Sequence, residues 1–275
     1  MQYNPGAWVR QAAQARRRNG QRCTRRCNIA RSQRPPRFFV PDLAEAQGTV
    51  ALPPSEAHHA AHVLRLGAGA VVELFDGRGT VAAGRLAEVG RRRVTAEVGR
   101  TWTVDRPAGP RVHLAFAVPK GSRADWLIEK ATELGAASLV PVMFERSVAG
   151  KDALSAAKGE RWLGHAVAAA KQSGTDFLPR IGPATRLEAF LQAAAGALLL
   201  VGDPGEGAVT VPEALERRRQ GEDVWILVGP EGGLADRERD SVRAARAVPV
   251  RLGRSVLRIE TAALALLAAV AALSR

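Results

Sequence analysis

Cysteine is nearly missing from this chain, and its two copies, Cys23 and Cys27, both fall within the first 34 residues. The remaining sequence therefore folds without a disulfide, which suits a reducing compartment and an expected cytoplasmic location. No histidine or third cysteine stands close enough to the C-x3-C pair to complete a four-ligand zinc set, so no metal is expected. Acidic residues are absent from residues 1 to 34, where nine arginines supply nine of the net thirteen positive charges and leave +4 for the rest. Aromatic residues are scarce, at 5% with one tyrosine, which argues against a broad surface that reads RNA by base stacking. Long apolar runs are lacking as well. The most apolar segment, Thr261 to Leu273, is 13 residues long, against about 20 for a membrane span. It reads as a buried core or interface helix, and no membrane partner is expected. The first 34 residues contain no apolar stretch of the kind a signal peptide needs.

What is present fills two domains. The 275 residues are 46% hydrophobic, enough for a sizeable core. Residues 37–104 read as short strands with frequent turns. Val71-Val-Glu-Leu-Phe75 alternates and ends on the hairpin signal Asp76-Gly77, and Thr80 to Leu86 and Arg93 to Val98 continue the pattern. Residues 105–111, with two prolines and a glycine, read as a linker. From Val112 onward strands alternate with helices: strand 112–118, a helix after Ser122 that stops at Gly135, strand 138–144, helix 160–171, strand 197–202, and two further strand-helix units. This succession predicts a mostly parallel α/β sheet over residues 112–275. No internal repeat is visible.

The last two units carry the strongest chemical signal. Val224-Trp-Ile-Leu-Val228 is a buried strand that runs into Gly229-Pro-Glu-Gly-Gly233, and Val248 to Leu252 runs into Gly253 to Ile259 and then a helix with Glu260 and Thr261 in its first turn. Pro230 fixes its own φ and biases Gly229 away from helix, and the glycines let a ligand approach the backbone. Open α/β sheets bind ligands outside the carboxyl ends of their strands, so two such turns can line one pocket. Each turn taken alone also reads as an ordinary tight turn with a capping acid.

Together with Leu257-Arg-x-Glu-Thr-Ala262, the Gly-Pro-Glu-Gly-Gly turn resembles the SPOUT superfamily of S-adenosylmethionine-dependent RNA methyltransferases, and within it the ribosomal RNA small subunit methyltransferase E family. Arg37-Phe-Phe39, His59 with Val63-Leu-Arg-Leu66, Leu74-Phe-Asp-Gly77, Lys120-Gly-x-Arg123, Lys130-Ala-Thr-Glu-Leu-Gly135, Glu145-Arg-Ser147, Arg161-Trp162 and Gln172-Ser-Gly174 follow in the family's order. The resemblance covers about residues 36 to 275. It implies a parallel-sheet methyltransferase domain with a C-terminal trefoil knot, preceded by a small PUA-like β-barrel that binds RNA. The implied reaction is methylation of N3 of a uridine in 16S rRNA of the small ribosomal subunit, by a homodimer.

The resemblance also implies site residues. S-adenosylmethionine is expected against Val201, Gly202, Gly229, Pro230, Glu231, Gly232, Leu252, Gly253 and Leu257. Arg258 and Glu260 are the catalytic candidates. Arg37, Arg65, Lys120 and Arg123 are expected to meet RNA. Each has a plainer reading beside it: Glu231 can bond amides of its own turn, Arg258 can pair with Glu260, and His59 can be a structural hydrogen-bonding residue. The chain departs from the family pattern at Lys171, Thr175, Ser255 and Ile259, and the missing arginine at 175 puts one RNA or cross-subunit contact in doubt. The departures at Lys171 and Thr175 keep a different RNA target open, and a non-catalytic RNA-binding protein of the same fold is the rival from another class. Residues 1–36 are expected to be disordered when free. Three readings of them stand open: an RNA-binding arm, an organelle transit peptide, or a start upstream of the true one near Arg37.

Overall fold

The computed structural model describes residues 34–90, 93–147, 156–203, 205 and 207–274. The expectations for residues 1–33, including both cysteines, and for Arg91 and Arg92 fall outside the described residues. The chain forms two compact units, one up to Asp76 together with Thr80–Thr103, the other comprising Gly77–Gly79 and Val104 onward.

The first unit is a five-stranded sheet built from β1 (Arg37–Phe39), β2 (Thr49–Ala51), β3 (Val71–Phe75), β4 (Thr80–Val89) and β5 (Val94–Thr103), in the order β1-β3-β4-β5-β2. Only β1 and β3 run parallel; the other pairs are antiparallel. Alternating residues turn Phe38, Val72, Leu74, Leu86 and Ala96 into one core. A short helix, α1 (Pro54–His58), continues into a wider π-helical turn, His59–Val63. Neither was expected from the sequence, because five residues are too few to show helical periodicity. His59 packs edge-on against Phe38 with ring centroids 6.3 Å apart.

The second unit is a parallel sheet of seven strands. Its strands are β6 (Val112–Ala117), β7 (Ser138–Met143), β8 (Arg180–Ile181), β9 (Thr185–Arg186), β10 (Leu198–Gly202), β11 (Val224–Val228) and β12 (Val248–Val250). They lie in the order β12-β10-β11-β6-β7-β8, with β9 also on β7. Helices α2 (Arg123–Glu133), α3 (Ala156–Ser173), α4 (Leu187–Ala193), α5 (Val211–Leu215), α6 (Asp236–Ala244) and α7 (Ile259–Leu273) connect and cover it. Ser122 holds the N-cap position of α2 without a side-chain cap bond, and Gly135 ends the following turn at φ +82, where a Cβ would be strained. α7 packs on α2, β6 and β11 and buries Ala263, Leu266, Leu267 and Val270 completely or nearly so. Each buried leucine contributes on the order of 1.5–3 kcal/mol, so this helix pins the sheet's centre and fixes where its own first turn stands.

The amino end of the sheet is held by charge. Arg111, just before β6, grips Asp223, just before β11, through Nε at 3.0 Å and Nη2 at 2.6 Å. His113 completes the cluster. Its Nδ1 lies 2.7 Å from Ser138 Oγ, its Nε2 3.5 Å from Asp223, and its ring stacks on Trp225 at 4.6 Å. Burial pushes the His113 pKa below 6.5, and the Asp223 carboxylate pulls against that shift. Burial pushes the Asp223 carboxyl upward, but the hydrogen bonds and charge of Arg111 outweigh it and leave its pKa lowered.

Candidate active site

The site forms at the opposite, carboxyl end of the same strands. Three neighbouring strands end level with one another there: Val201 pairs with Leu227 of β11 and Pro249 of β12, and Gly202 pairs with Val250. The chain therefore leaves the sheet at Gly202, Gly229 and Arg251 in one row, so that the glycine turn and the loop beginning at Leu252 start from neighbouring strand ends. Val201 is buried in its strand and acts by placing Gly202. A Cβ at Gly202 would stand 3.1 Å from Leu266 of α7, and one at Gly229 3.0 Å from Leu234, so both positions lie where the backbone packs close to a neighbour. The loop from Leu252 through Gly253 to Leu257 and Arg258 is exposed.

The Gly229–Gly233 turn is braced by residues not singled out from the sequence. Gly233 adopts φ +70 and donates to the Pro230 carbonyl at 2.9 Å. Arg146, from the segment after β7, donates through Nη1 to the Gly232 carbonyl at 3.1 Å. Glu238 is buried and accepts two amides at 2.8 Å, from Glu145 and from Ala235. It thus ties the segment carrying Arg146 to the start of α6. The sequence held a signal for Glu238, an acid three residues past a helix start, whereas Arg146 lay inside a family motif without a visible role.

Glu260 stands in the first turn of α7 and is only 5% exposed. Its Oε1 is 3.7 Å from Arg123 Nη1, and the same nitrogen is 3.5 Å from Glu231 Oε1. One guanidinium at the start of α2 is thereby shared between the glycine turn and the last helix. Glu260 Oε2 is buried without a hydrogen-bond partner, a costly state for a carboxylate oxygen. Arg258, the N-cap of α7, is exposed, and its carbonyl receives the Ala262 amide at 2.8 Å. The ion-pair partner of Glu260 is Arg123 rather than Arg258. Lys120 is exposed beyond the end of β6.

Arg37 and Arg65 belong to the first unit. Arg65 is exposed. Arg37 is 8% exposed, pairs with Glu73 at 2.7 Å and lies over the Phe75 ring at 4.4 Å. Such a guanidinium is a strut of the sheet and is not offered to a phosphate, which corrects the RNA-binding expectation for Arg37. Thr175, where the family has arginine, bonds the Phe177 backbone within its own turn. Among the described residues no group of three or more His, Cys, Asp or Glu could hold a metal, and no helix is long and apolar enough to cross a membrane.

Residues 107–271 match the RNA methyltransferase domain family, and residues 52–99 match the RNA methyltransferase PUA domain. Ribosomal RNA small subunit methyltransferase E of Mycobacterium bovis is 35% identical over 245 residues, 86% of this chain and 91% of its own. The chain belongs to the ribosomal RNA small subunit methyltransferase E family. The Bacillus subtilis member is 30% identical over 244 residues, covering 85% of this chain and 95% of its own. Two solved structures agree in fold. A putative methyltransferase from Legionella pneumophila, in complex with bound S-adenosylmethionine, superposes with a TM-score of 0.79 at 30% identity over 87% of this chain and 98% of its own. The Neisseria gonorrhoeae family member bound to S-adenosyl methionine does so with a TM-score of 0.75 at 30% identity over 86% and 97%.

Proposed function

We propose that this RNA methyltransferase transfers a methyl group from S-adenosylmethionine to N3 of a uridine in 16S rRNA, acting in the cytoplasm on the small ribosomal subunit. The observation that carries this reading is the buried Glu260 carboxylate, with one oxygen near an Arg123 guanidinium that also meets Glu231 of the glycine turn and the other without a hydrogen-bond partner.

The residues present fit the cofactor. Gly202 and Gly229 leave the sheet at adjacent strand ends, Gly232 follows in the turn, and the exposed Leu252 and Leu257 supply apolar contact. Glu231, half exposed near Arg123, is placed to answer a positively charged group. When bound, the cofactor supplies an electrophilic methyl carbon on a sulfonium sulfur.

Uracil N3 is a weak acid and attacks well only as its proton leaves. Glu260 Oε2 accepts that proton as the N3–methyl bond forms and the methyl–sulfur bond breaks. Arg123 offsets the negative charge held at Glu260 before the proton arrives, and Arg258 faces the developing uridine anion. The rigid first turn of α7 holds the acceptor in place, and in-line displacement depends on such positioning. Lys120 and the exposed edge of Arg123 steer phosphate, with Arg65 contributing from the PUA domain.

Homodimerisation and the C-terminal trefoil knot belong to the same proposal. Exposed Leu252, Val256 (89% exposed) and Leu257 give the cofactor loop an apolar face for a second copy. The test is to offer the full chain labelled S-adenosylmethionine with unmethylated small subunits, large subunits and naked 16S rRNA. Label confined to small subunits supports the reading. Label only in large subunits, or none at all, rejects it.

A further inference from the structure

The PUA domain carries a surface that its own fold does not account for. At the end of α1 the chain widens into the π-helical turn: the Leu64 amide donates to the His59 carbonyl and the Leu66 amide to the Ala60 carbonyl, each at 2.9 Å. Wide turns of this kind are rare and concentrate at functional sites. Arg65 then takes φ 51, one of two non-glycine residues with positive φ among the described residues, a conformation that costs on the order of 1 kcal/mol. Packing does not repay this strain at Val63 and Leu64. They are turned outward, 58% and 40% exposed, while Ala60 on the inner side is fully buried.

Beside them stand two imidazoles. His58 and His62, one helical turn apart and both exposed, have ring centroids 4.9 Å apart at 39°. Charge around the strip has one sign. From Ala57 to Val72 there is no acidic residue, and Glu56, the acid at its edge, is 5% exposed and accepts the Phe39 amide at 3.0 Å. The strip therefore joins two flat rings, two aliphatic side chains and an arginine, and carries no carboxylate in its own sequence.

We infer that His58, His62, Val63, Leu64 and Arg65 form a local platform for single-stranded RNA, on which one or two unpaired bases stack while Arg65 holds the adjoining phosphate. Flat faces and apolar side chains accept a base of any kind, and an arginine at the rim neutralises backbone charge. The platform rests on the proposed function for its partner, an unpaired segment of the rRNA. It adds that recognition uses stacking at one spot, although the chain has too few aromatics for a broad stacking face.

The test is steady-state methylation of small ribosomal subunits by the full chain and by three variants, H58A/H62A, V63S/L64S and H62F, with cofactor affinity measured by calorimetry on each. All the altered side chains are exposed, so folding is expected to survive, and unchanged cofactor affinity verifies it. The two double variants should raise KM for subunits about tenfold with kcat and cofactor affinity unchanged, whereas H62F should keep the wild-type KM because a phenyl ring stacks as an imidazole does. Unchanged KM in both double variants, or a KM for H62F as poor as for H58A/H62A, overturns the platform and leaves the methyltransferase reading intact. A wild-type chain that binds the cofactor but methylates no subunit overturns the reading on which the platform rests.

Discussion

Arg123 Nη1 stands 3.7 Å from the buried carboxylate of Glu260, linking the start of α2 to the first turn of α7. The guanidinium is about one-third exposed and also serves Glu231 at 3.5 Å. It offsets the charge of Glu260 without saturating its oxygens, since the buried Oε2 has no hydrogen-bond partner.

Glu260→Gln should therefore lower the methyl-transfer rate by about 100-fold or more, the scale of a lost general base. Cofactor affinity should stay within about threefold, since the isosteric amide keeps the packing. Single-turnover rates and calorimetry on one preparation separate the two effects. A rate within a few-fold of wild type would remove Glu260 from the chemistry.

Arg123→Ala leaves the buried carboxylate uncompensated. Because the pair is long and its arginine partly solvated, the expected loss of stability is about 1–2 kcal/mol, below the cost of breaking a fully buried pair. In a Glu260→Gln background the same substitution should be nearly neutral. Denaturant titrations of the double-mutant cycle measure the difference, and equal losses in both backgrounds would show that the two side chains do not interact.

Gly232→Val should cost at least about 100-fold in S-adenosylmethionine affinity, on the order of 2.7 kcal/mol. A Cβ alone at this position would rest 3.5 Å from Arg146 Cβ, an ordinary contact, so the fold tolerates it and the thermal midpoint should hold. The larger side chain instead crowds Arg146, which braces the turn expected to hold the cofactor. Arg146→Ala, which frees the Gly232 carbonyl from its brace, should weaken the same binding about five- to tenfold through one lost charge-assisted hydrogen bond.

The His113 cluster predicts a pH dependence of stability that is separate from activity. Burial holds the folded-state pKa below 6.5, so the unfolded chain takes up this proton at higher pH than the folded one. Stability then falls as the pH drops below about 6.5 and levels off under the folded-state value. Urea midpoints at about pH 5 and about pH 7.5 should differ in the wild type, and the His113→Asn variant should lose this part of the slope. A variant slope equal to the wild type would assign the dependence to other groups.

Legibility followed the length of the signal. Strand β11 and helix α7 are plain in the sequence because each is an apolar run bounded by glycine or a capping acid, and the same contrast marks the turn from Gly229 to Gly233. The two-residue strands β8 and β9 carry no pattern of their own; they exist because β7 offers a free edge. Glu260 was visible as a family residue, but its pairing with Arg123, 137 positions earlier, depends on how α2 and α7 pack. Arg37 shows the opposite failure. An arginine at the head of a family motif reads as a phosphate ligand until the sheet places Glu73 and Phe75 against it.

The central claim is the position of the new methyl group, and nucleoside mass analysis of the methylated product tests it most directly. Small subunits lacking the modification, incubated with the full chain and isotopically labelled S-adenosylmethionine, should yield the label in N3-methyluridine from 16S rRNA. Label in any other nucleoside would contradict the assignment of Glu260 to an N3 proton while leaving the family and fold in place.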